Sequence, residues 1–258
     1  MSKKFNDTNH RLELSEDGSY TAYSQEYGEH YHSTKDGALH ESLAKHVVPA
    51  LSCITKDEIT ILDICYGLGL NTLATLWYVQ HAKLDKKIHI YSPELDASLV
   101  DSLEYFTYPK EFENFRKIIY KLAKEQYYED DNISIEIFLG DAREYVKRFE
   151  KKFDIVYQDA FSPSANPMLW TVEYFADIQN ALRDDGVLTT YSTALKTRLA
   201  LYENGFKLYL NSGTDFRNAT VASQKHLPNF TLVDMEHKIS CNPSVKPLSD
   251  SELGIDKC

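Results

Sequence analysis

The sequence predicts an α/β fold built on a seven-stranded, mostly parallel sheet, with a small β-rich lead-in in front of it. Three observations support this prediction. Short runs of apolar and β-branched residues alternate with stretches of helical spacing, as they do in doubly wound sheets. Several of these runs end at an acidic residue. The last two runs are joined by a link too short to hold a crossover helix, so we expect them to be antiparallel.

The composition is that of a globular protein with one principal domain. Of the 258 residues, 43% are hydrophobic and 26% are charged, which are ordinary values. The formal net charge of -11 argues against broad, non-specific affinity for nucleic acid, although it leaves room for a local basic patch. The four cysteines, Cys53, Cys65, Cys241 and Cys258, lack Cys-x-x-Cys spacing, so we expect reduced thiols and no metal site.

The amino-terminal residues are polar and contain no apolar stretch of the kind found in signal peptides. No apolar run approaches the ~20 residues that a membrane-spanning helix requires. We therefore expect a cytoplasmic protein without a membrane partner.

Residues 1–36 are predicted to form the β-rich lead-in, because aromatic stretches alternate there with turn residues. The main domain is predicted over residues 37–223. It starts with a helix over residues 37–51, where apolar residues recur at helical spacing. Residues 224–258 are polar and interrupted by prolines, so we expect a tail that is loosely attached or extended.

The first strand of the main domain covers residues 59–64 and has Asp63 near its end, and a helix over residues 71–81 follows. The turn between them contains Gly67 and Gly69. Such a turn lets the backbone approach a ligand, and the helix N-terminus behind it offers free N–H groups. A tight structural turn explains the two glycines equally well, so both interpretations stay open.

Two further strands also end near acids. The second strand, residues 88–91, leads to Glu94, the position at which doubly wound folds bind a ribose diol. Asp96 is a competing candidate and is also placed to cap the next helix. A third strand over residues 133–138 precedes Asp141, which is suited either to cap a helix or to receive an adenine amino group.

The stretch that organises the chain is a buried strand followed by a break. Ile155, Val156 and Tyr157 suit a packed strand, whereas the serines and prolines that follow forbid its continuation. Asp159 therefore lies at the carboxyl end of a strand, where open α/β sheets bind ligands. The remaining predicted elements are two helices within 99–128 divided near Pro109, helices over 168–182 and 193–202, a helix C-cap at Gly186, and strands over 187–191, 206–210 and 219–222.

This succession resembles a class I S-adenosylmethionine-dependent methyltransferase, which has a glycine turn after strand one, acids after strands two and three, and a closing antiparallel pair. The resemblance implies a Rossmann-like sheet with the strand order 3-2-1-4-5-7-6. It also implies that S-adenosylmethionine lies over Gly67 and Gly69, with its ribose near Glu94 and its adenine near Asp141. Asp159 then lies beside the sulfonium methyl group.

A narrower resemblance rests on the residues after the fourth strand. Asp159-Ala-Phe-Ser-Pro and Asn166-Pro-Met-Leu-Trp170 are similar to the Asp-Gly-Phe-x-Pro and Asn-Pro-x-x-Trp signature of the MnmC-type tRNA wobble-uridine methyltransferases. The other matching segments, in that family's order and within about residues 20–223, are 31–33, 37–42, 66–71 and 140–141.

This family resemblance implies methylation of the 5-aminomethyl group of (2-thio)uridine at the tRNA wobble position, with the tRNA anticodon loop as the partner. It assigns the catalytic acid to Asp159, which would orient or deprotonate the amine. The alternative is that Asp159 only caps a turn with Ser162 or Ser164. The implied cofactor-binding residues are Tyr31, Ser33, Asp63, Tyr66, Gly67, Gly69, Asn71, Glu94, Asp141 and Ala142.

Two features depart from the family pattern. Cys65 stands where class I methyltransferases usually have a glycine, so we expect a slightly displaced cofactor loop. Bifunctional members carry an FAD-dependent oxidase domain after the methyltransferase, and the residues after Ser223 are too few for one. We therefore expect a stand-alone methyltransferase that uses no FAD and no metal, and a separate enzyme that supplies the aminomethyl group.

The substrate contacts are less clearly indicated. Phe161, Pro163 and Trp170 are candidates for a wall around the nucleobase, although ordinary core packing explains them equally well. For the RNA backbone, Lys196 and Arg198 follow a strand end on the expected ligand side of the sheet. We favour them over the basic cluster at residues 147–152, which is typical of a solvated helix face.

Two other functions remain open at this stage. A spermidine-synthase-like transferase that acts on a small amine shares the sheet and the acid after strand four. That family, however, normally has a richer glycine turn and an Asp-x-x-Asp-Pro pattern. A nucleoside-binding protein without catalytic activity is the second alternative, and the intact Asp159 argues against it.

Overall fold

The computed structural model describes Phe5 and residues 9–255, and within these residues the chain forms two β-sheets and nine α-helices. The small sheet is antiparallel and confirms the β-rich lead-in. Its strands are His10–Leu14 (β1), Tyr20–Ser24 (β2) and Glu29–His30 (β3).

The large sheet has nine strands within the described residues, in the order β12-β10-β11-β9-β8-β4-β5-β7-β6. They are Glu58–Ile64 (β4), Lys87–Glu94 (β5), Tyr127–Glu129 (β6), Ile133–Leu139 (β7), Phe153–Gln158 (β8), Leu182–Thr190 (β9), Lys207–Asn211 (β10), Ala219–Ser223 (β11) and Thr231–Leu232 (β12). Its inner part, β7-β5-β4-β8-β9-β11-β10, confirms the predicted order. The strand β11 is antiparallel to both β9 and β10, as the short link between the last two strands predicts.

The α-helices are Ala38–Glu41 (α1), Val48–Leu51 (α2), Leu70–His81 (α3), Ala97–Ser102 (α4), Arg116–Glu125 (α5), Ala142–Val146 (α6), Val172–Ala181 (α7), Leu195–Glu203 (α8) and Met235–Cys241 (α9). Helices α3 to α8 lie between strands of the large sheet, whereas α1 and α2 precede β4 and α9 follows β12. A π-helical segment, Ser42–Val47, joins α1 to α2, so the predicted helix over 37–51 is continuous but locally widened. The 3₁₀ segments are Leu103–Tyr105, Lys110–Phe115, Pro167–Trp170 and Asp250–Leu253.

Two hydrophobic cores lie on opposite faces of the large sheet, because neighbouring side chains of a strand point to opposite faces. In β4, Ile59 and Ile61 belong to one core, whereas Leu62 and Ile64 belong to the other. The first core includes α1 to α5 and the small sheet, and the second includes α6 to α9. Each fully buried aliphatic side chain contributes about 1.5–3 kcal/mol. The sheet is therefore a rigid support for the residues at its strand ends.

One local prediction, the helix C-cap at Gly186, is wrong. The helix α7 ends at Ala181, and residues 182–190 belong to β9. The pairing register of β8 and β9 shifts, because Phe153 lies opposite Leu182 whereas Ile155 lies opposite Val187. The residues between Leu182 and Val187, which include Gly186, therefore form an irregularity inside the strand. Gly186 does not have a positive φ, which a left-handed helix cap would require.

Residues 224–255 contact the domain at several points, so the prediction of a tail that is loosely attached or extended is wrong for this part of the chain. Thr231–Leu232 adds an edge strand, and Met235 of α9 is buried in the second core. Asp250 forms a buried ion pair with Arg143, with side chains that are 10% and 9% exposed. Local sequence patterns cannot predict this ion pair, because its two residues are far apart in the chain.

Within the described residues, no helix is long and apolar enough to cross a membrane. Cys53, Cys65 and Cys241 are free thiols, and Cys258 lies outside the described residues. In the part of the chain that the structure describes, no three His, Cys, Asp or Glu side chains are grouped so that they could hold a metal ion.

Candidate active site

Four adjacent parallel strands, β7, β5, β4 and β8, end at one edge of the large sheet, and an acidic residue lies at or near the end of each. These residues are Asp141, Glu94, Asp63 and Asp159. A cavity of about 880 Å³ opens at this edge, and three of the four acids line it; Asp63 does not. This volume lies within the range typical of small-molecule sites.

The cavity brings together most of the residues that the sequence singled out. Those that line it are Tyr31, Ser33, Tyr66, Gly67, Asn71, Glu94, Asp141, Ala142, Asp159 and Phe161. The lead-in also contributes lining residues, among them Tyr27, which precedes β3, and Glu29, the first residue of β3. The cavity is therefore formed between the strand ends and the lead-in.

The two glycines of the turn after β4 have different roles. Both have positive φ values, 55° at Gly67 and 71° at Gly69. Gly67 lines the cavity, and a Cβ atom there would lie 3.0 Å from the ring of Tyr31. Gly69 does not line it; it precedes α3, and a Cβ atom there would lie 2.6 Å from the Tyr66 hydroxyl. The ligand interpretation thus fits Gly67, and the structural-turn interpretation fits Gly69.

Cys65 also has a positive φ, 64°, and it lines the cavity. Glycine adopts this conformation without the steric penalty that a Cβ atom brings, which explains why a glycine suits this position. Burial and the nearby carboxylates raise the pKa of the Cys65 thiol well above its ordinary value. The thiol is therefore neutral near physiological pH.

Glu94 is buried and fixes the turn. Its Oε2 accepts a 2.8 Å hydrogen bond from the backbone N–H of Gly67, and its Oε1 accepts a 2.9 Å bond from that of Asp96. Burial raises the pKa of Glu94 in spite of these bonds. Asp96 accepts from the backbone N–H of Leu99 and so caps α4, but it lines the cavity as well.

Asp141 caps a helix and also lies at the cavity, so the capping role is confirmed and the adenine contact stays a prediction. Its Oδ1 accepts a 3.0 Å hydrogen bond from the backbone N–H of Glu144, which makes it the N-cap of α6. It also lines the cavity. The carboxylates of Asp141 and Glu94 are hydrogen-bond acceptors that a nucleoside can use, and Gly67 leaves room beside the backbone. This arrangement fits bound S-adenosylmethionine.

Asp159 is held from several sides, and its side chain is 8% exposed. Asn71 Nδ2 donates to its Oδ2 at 2.8 Å. His46 Nε2 lies 3.3 Å from Oδ1, and His32 Nδ1 lies 3.9 Å from Oδ2. Ser162 does not bond to Asp159, because its hydroxyl and backbone N–H both donate to Glu29. The turn-capping alternative for Asp159 is therefore wrong as far as Ser162 is concerned.

Behind Asp159 lies a buried charge network that the sequence did not reveal. Glu41 accepts hydrogen bonds from Lys45 Nζ at 2.7 Å and from the backbone N–H of Ser33 at 2.6 Å. Burial alone would raise the pKa of Glu41, but His32 and Lys45 hold it well below its usual range. Burial alone would lower the pKa of His32, but the carboxylates of Glu41 and Asp159 raise it above its ordinary value. The network therefore favours a protonated His32 beside Asp159.

Asp63 lies beneath the site and is buried. Its Oδ2 accepts a 2.8 Å hydrogen bond from the Thr72 hydroxyl, whereas its Oδ1 has no hydrogen-bond partner among the described residues. Burial, with the charge of Asp159 as a further contribution, raises the pKa of Asp63 to about 7.

Four predicted substrate-binding residues do not line the cavity: Pro163, Trp170, Lys196 and Arg198. Trp170 is 1% exposed, and its indole N–H donates to the carbonyl of Phe161, so it supports the wall from within the core. Arg198 is 6% exposed, donates to Thr220, and has its pKa lowered by burial. It is not accessible to an RNA phosphate, which corrects that prediction. Lys196 is exposed.

Phe161 is part of an aromatic group at the cavity. Its ring stacks on that of Tyr27, with centroids 4.5 Å apart and an interplanar angle of 20°, and lies 4.9 Å from that of Tyr31. Tyr27 was missed in the sequence because it lies in the lead-in, 134 positions before Phe161 in the numbering. Such rings offer flat apolar surfaces on which a base can stack.

Comparison with known proteins identifies relatives with this organisation. Residues 108–225 match a family described as S-adenosyl-L-methionine-dependent methyltransferase. An uncharacterized protein of Methanocaldococcus jannaschii is 32% identical over 254 residues, which cover 96% of this chain and 69% of that protein. The tRNA 5-methylaminomethyl-2-thiouridine biosynthesis bifunctional protein MnmC of Azoarcus is 28% identical over 210 residues, and the match covers 76% of this chain.

The chain spans about a third of the length of that bifunctional relative, 32%. Among solved structures, MNMC2 from Aquifex aeolicus has a TM-score of 0.83 and 30% sequence identity. That match covers 99% of this chain and 83% of the other. The similarity therefore extends over the small sheet, the large sheet and the packed tail. The chain belongs to the MnmC-type family of S-adenosylmethionine-dependent methyltransferases.

Proposed function

We propose that this methyltransferase transfers a methyl group to the primary amine of a 5-aminomethyl group on uridine or 2-thiouridine at the wobble position of tRNA. The observation that carries the proposal is Asp159, a buried carboxylate at the cavity wall with a hydrogen bond from Asn71. The printed name of the bifunctional relative, which concerns 5-methylaminomethyl-2-thiouridine biosynthesis, supports the choice of acceptor. A separate enzyme would supply the aminomethyl group.

The cofactor side of the cavity is assigned to the strand ends. Gly67, Glu94 and Asp141 would hold S-adenosylmethionine, with Tyr66, Asn71 and Ala142 completing this side. When bound, the cofactor supplies an electrophilic methyl group on a positively charged sulfur. The chain contributes position and electrostatics, because a displacement at carbon depends chiefly on the alignment and distance of the nucleophile.

The acceptor side is assigned to Asp159. A primary alkylamine resembles lysine, whose pKa is about 10.4, so it is mostly protonated near neutral pH and lacks a free lone pair. The Asp159 carboxylate can accept a hydrogen bond from the amine, orient its lone pair and receive or relay a proton. It also stabilises the positive charge that the nitrogen acquires as the new N–C bond forms.

The surroundings of Asp159 suit this task. Asn71 occupies one oxygen and His46 approaches the other, so the carboxylate cannot rotate freely. His46 is itself fixed, since its Nδ1 lies 3.1 Å from the Thr189 hydroxyl. A nucleobase could stack on the rings of Tyr27 and Phe161 while its aminomethyl arm reaches the carboxylate.

The test is methyl transfer to tRNA that carries 5-aminomethyluridine, with mass spectrometry of the digested nucleosides. We expect the wild-type protein to convert this nucleoside to the methylaminomethyl form. Asp159→Asn should lower kcat by about 10²- to 10⁴-fold, the usual contribution of a positioned acid or base. The affinity of this variant for S-adenosylmethionine, measured by calorimetry, should stay near that of the wild type. Such an affinity would show that the variant is folded.

Asp101→Asn is the matched control, because Asp101 is exposed on α4 and does not line the cavity. It should methylate tRNA at the wild-type rate. Wild-type turnover in Asp159→Asn would overturn the role of this residue. A wild-type protein that ignores tRNA but alkylates a polyamine would overturn the proposed acceptor.

A further inference from the structure

The basic side chains at the cavity divide into two groups. Within the described residues, six of them line it: His10, His30, His32, Lys35, Arg143 and Arg217. Four already face a carboxylate, as Arg143 does with Asp250 and His30 with Glu13. His10 lies 3.6 Å from Asp96, and His32 lies near Glu41 and Asp159.

Lys35 and Arg217 form the second group. Both are exposed, and neither forms an ion pair or side-chain hydrogen bond with any described residue. The nearest acids in sequence are already engaged. Asp36, which follows Lys35, accepts from Lys45 at 2.7 Å, and Asp215, two positions before Arg217, lies 3.4 Å from His40. These two cations therefore carry uncompensated positive charge at the cavity of an otherwise acidic protein.

The segments that carry Lys35 and Arg217 are fastened to each other. Lys35 precedes α1, and Arg217 lies in the link between β10 and β11. His40 of α1 contacts this link twice, through Asp215 and through the ring of Phe216 at a centroid distance of 6.3 Å. The side chain of Asn211 donates to the carbonyl of Ala44 at 2.9 Å. The fold thus holds both cations at the same cavity.

We propose that Lys35 and Arg217 bind backbone phosphates of the substrate RNA on either side of the nucleotide that enters the cavity. The proposal rests on the proposed function, and it assigns the RNA contact to residues other than Lys196 and Arg198. RNA loops are read by splaying out a base, so the phosphates that flank the base must lie at the cavity mouth. Cations there compensate for the repulsion between the RNA and the net charge of -11.

The experiment compares tRNA binding by Lys35→Ala/Arg217→Ala with wild-type binding over a range of salt concentrations. Each lost contact to a single-stranded phosphate should lower the slope of log affinity against log salt by about 0.7, or about 1.4 for the pair. At moderate salt the double variant should bind the tRNA about tenfold more weakly. Calorimetry should show unchanged affinity for S-adenosylmethionine.

A matched control removes the same charge from the far end of the same pair of strands. Lys207 and Lys225 are exposed, lie at the ends of β10 and β11 away from the link, and do not line the cavity. Lys207→Ala/Lys225→Ala should keep the wild-type salt slope within about 0.3, less than half of one lost phosphate contact. This comparison separates a local contact from a change in overall charge.

Three outcomes would overturn the assignment. In the first, Lys35→Ala/Arg217→Ala binds tRNA with the same affinity and the same salt slope as the wild type, and the wild type still methylates tRNA. This outcome would leave the proposed function intact. The second is an equal loss in the control pair, which would show a general charge effect. The third is a wild-type protein that neither binds nor methylates the tRNA, which would overturn the proposed function as well.

Discussion

Replacing Asp63 by asparagine tests the charge balance beneath the cavity. The Asp63 side chain is buried, and only one of its oxygens has a hydrogen-bond donor among the described residues. A neutral amide of nearly the same shape retains the contact with Thr72. It removes the cost of burying a charge close to Asp159. We therefore expect Asp63→Asn to stabilise the protein, by an amount that depends on pH.

The magnitude follows from the pKa of Asp63, which is about 7 in the folded protein against about 3.9 for an unfolded chain. Between these two values the folded state keeps a proton that the unfolded state has released. Wild-type stability therefore falls as pH rises through this window, by about 4 kcal/mol in total. Asparagine does not titrate. Compared with the wild type, the variant should therefore gain less than about 1 kcal/mol at pH 4 and about 4 kcal/mol at pH 8.

The assay is urea denaturation of both proteins at pH 4, 6 and 8, with the difference in the free energy of unfolding as the readout. Other titrating groups, including His32, are present in both proteins, so their contributions largely cancel. Asp101→Asn, an exposed change, should show a nearly constant difference from the wild type. A difference for Asp63→Asn that is equally independent of pH would refute the reasoning.

Two further predictions concern strain and the packed tail. Cys65→Gly should leave the free energy of unfolding within about 1 kcal/mol of the wild type. Relief of the positive φ offsets the entropy that glycine adds to the unfolded chain. Cys65→Val should lower the free energy of unfolding by about 2 kcal/mol. Denaturation without cofactor checks both, and equal stability of the two variants would contradict the argument. Asp250→Ala should lose about 3–5 kcal/mol, because it leaves Arg143 as a buried charge without its partner. Replacing both residues by apolar ones should cost less, and a larger loss in the double variant would argue against this explanation.

The sheet could be predicted from the sequence because its signals are local. Each parallel strand is a short apolar run, and the acid after it lies within a few residues. The strand ends meet at one edge because parallel strands share a direction, which is a property of the fold class. Asp159 was therefore placed at this edge from residue type and position. Glu94 with its competitor Asp96, and Asp141 as a cap or a ligand contact, were left open until the family resemblance was considered.

The residues around Asp159 could not be found in this way. His46 lies 113 positions before Asp159 in the sequence, in a helix whose apolar spacing predicts only that it packs on the sheet. Its neighbour Lys45 would be expected on a solvated face, yet it is buried against Glu41. His46 is placed by a contact across a long sequence separation, which leaves no periodic signal. Lys45 pairs with Glu41 four positions earlier, but exposed helical ion pairs have the same spacing, so this spacing does not indicate burial.

Arg198 shows the same error as Lys45, because a charged residue was expected on the surface and is buried. Five consecutive residues of α8, 197–201, are buried, so this helix has no solvated face along that stretch. An arginine is seldom fully buried, which makes exposure the natural expectation from sequence. The Nε of Arg198 is satisfied by Thr220 of β11, a contact that depends on the antiparallel closing strands.

The division of the cavity has a consequence for specificity. In the proposed function, the cofactor residues Gly67, Glu94 and Asp141 lie at strand ends or in the turns directly after them. Tyr31 and Ser33, which precede the sheet, are further cofactor candidates at the same cavity. The acceptor side depends on segments that precede the sheet, since His32, Glu41 and Tyr27 all come before β4. Under the proposed function, changes at Tyr27, His32 or Glu41 are therefore expected to affect the acceptor side while Gly67, Glu94 and Asp141 stay in place. Under the proposed function, residues that precede β4 help to select the acceptor, and residues at the strand ends of the large sheet help to position the methyl donor.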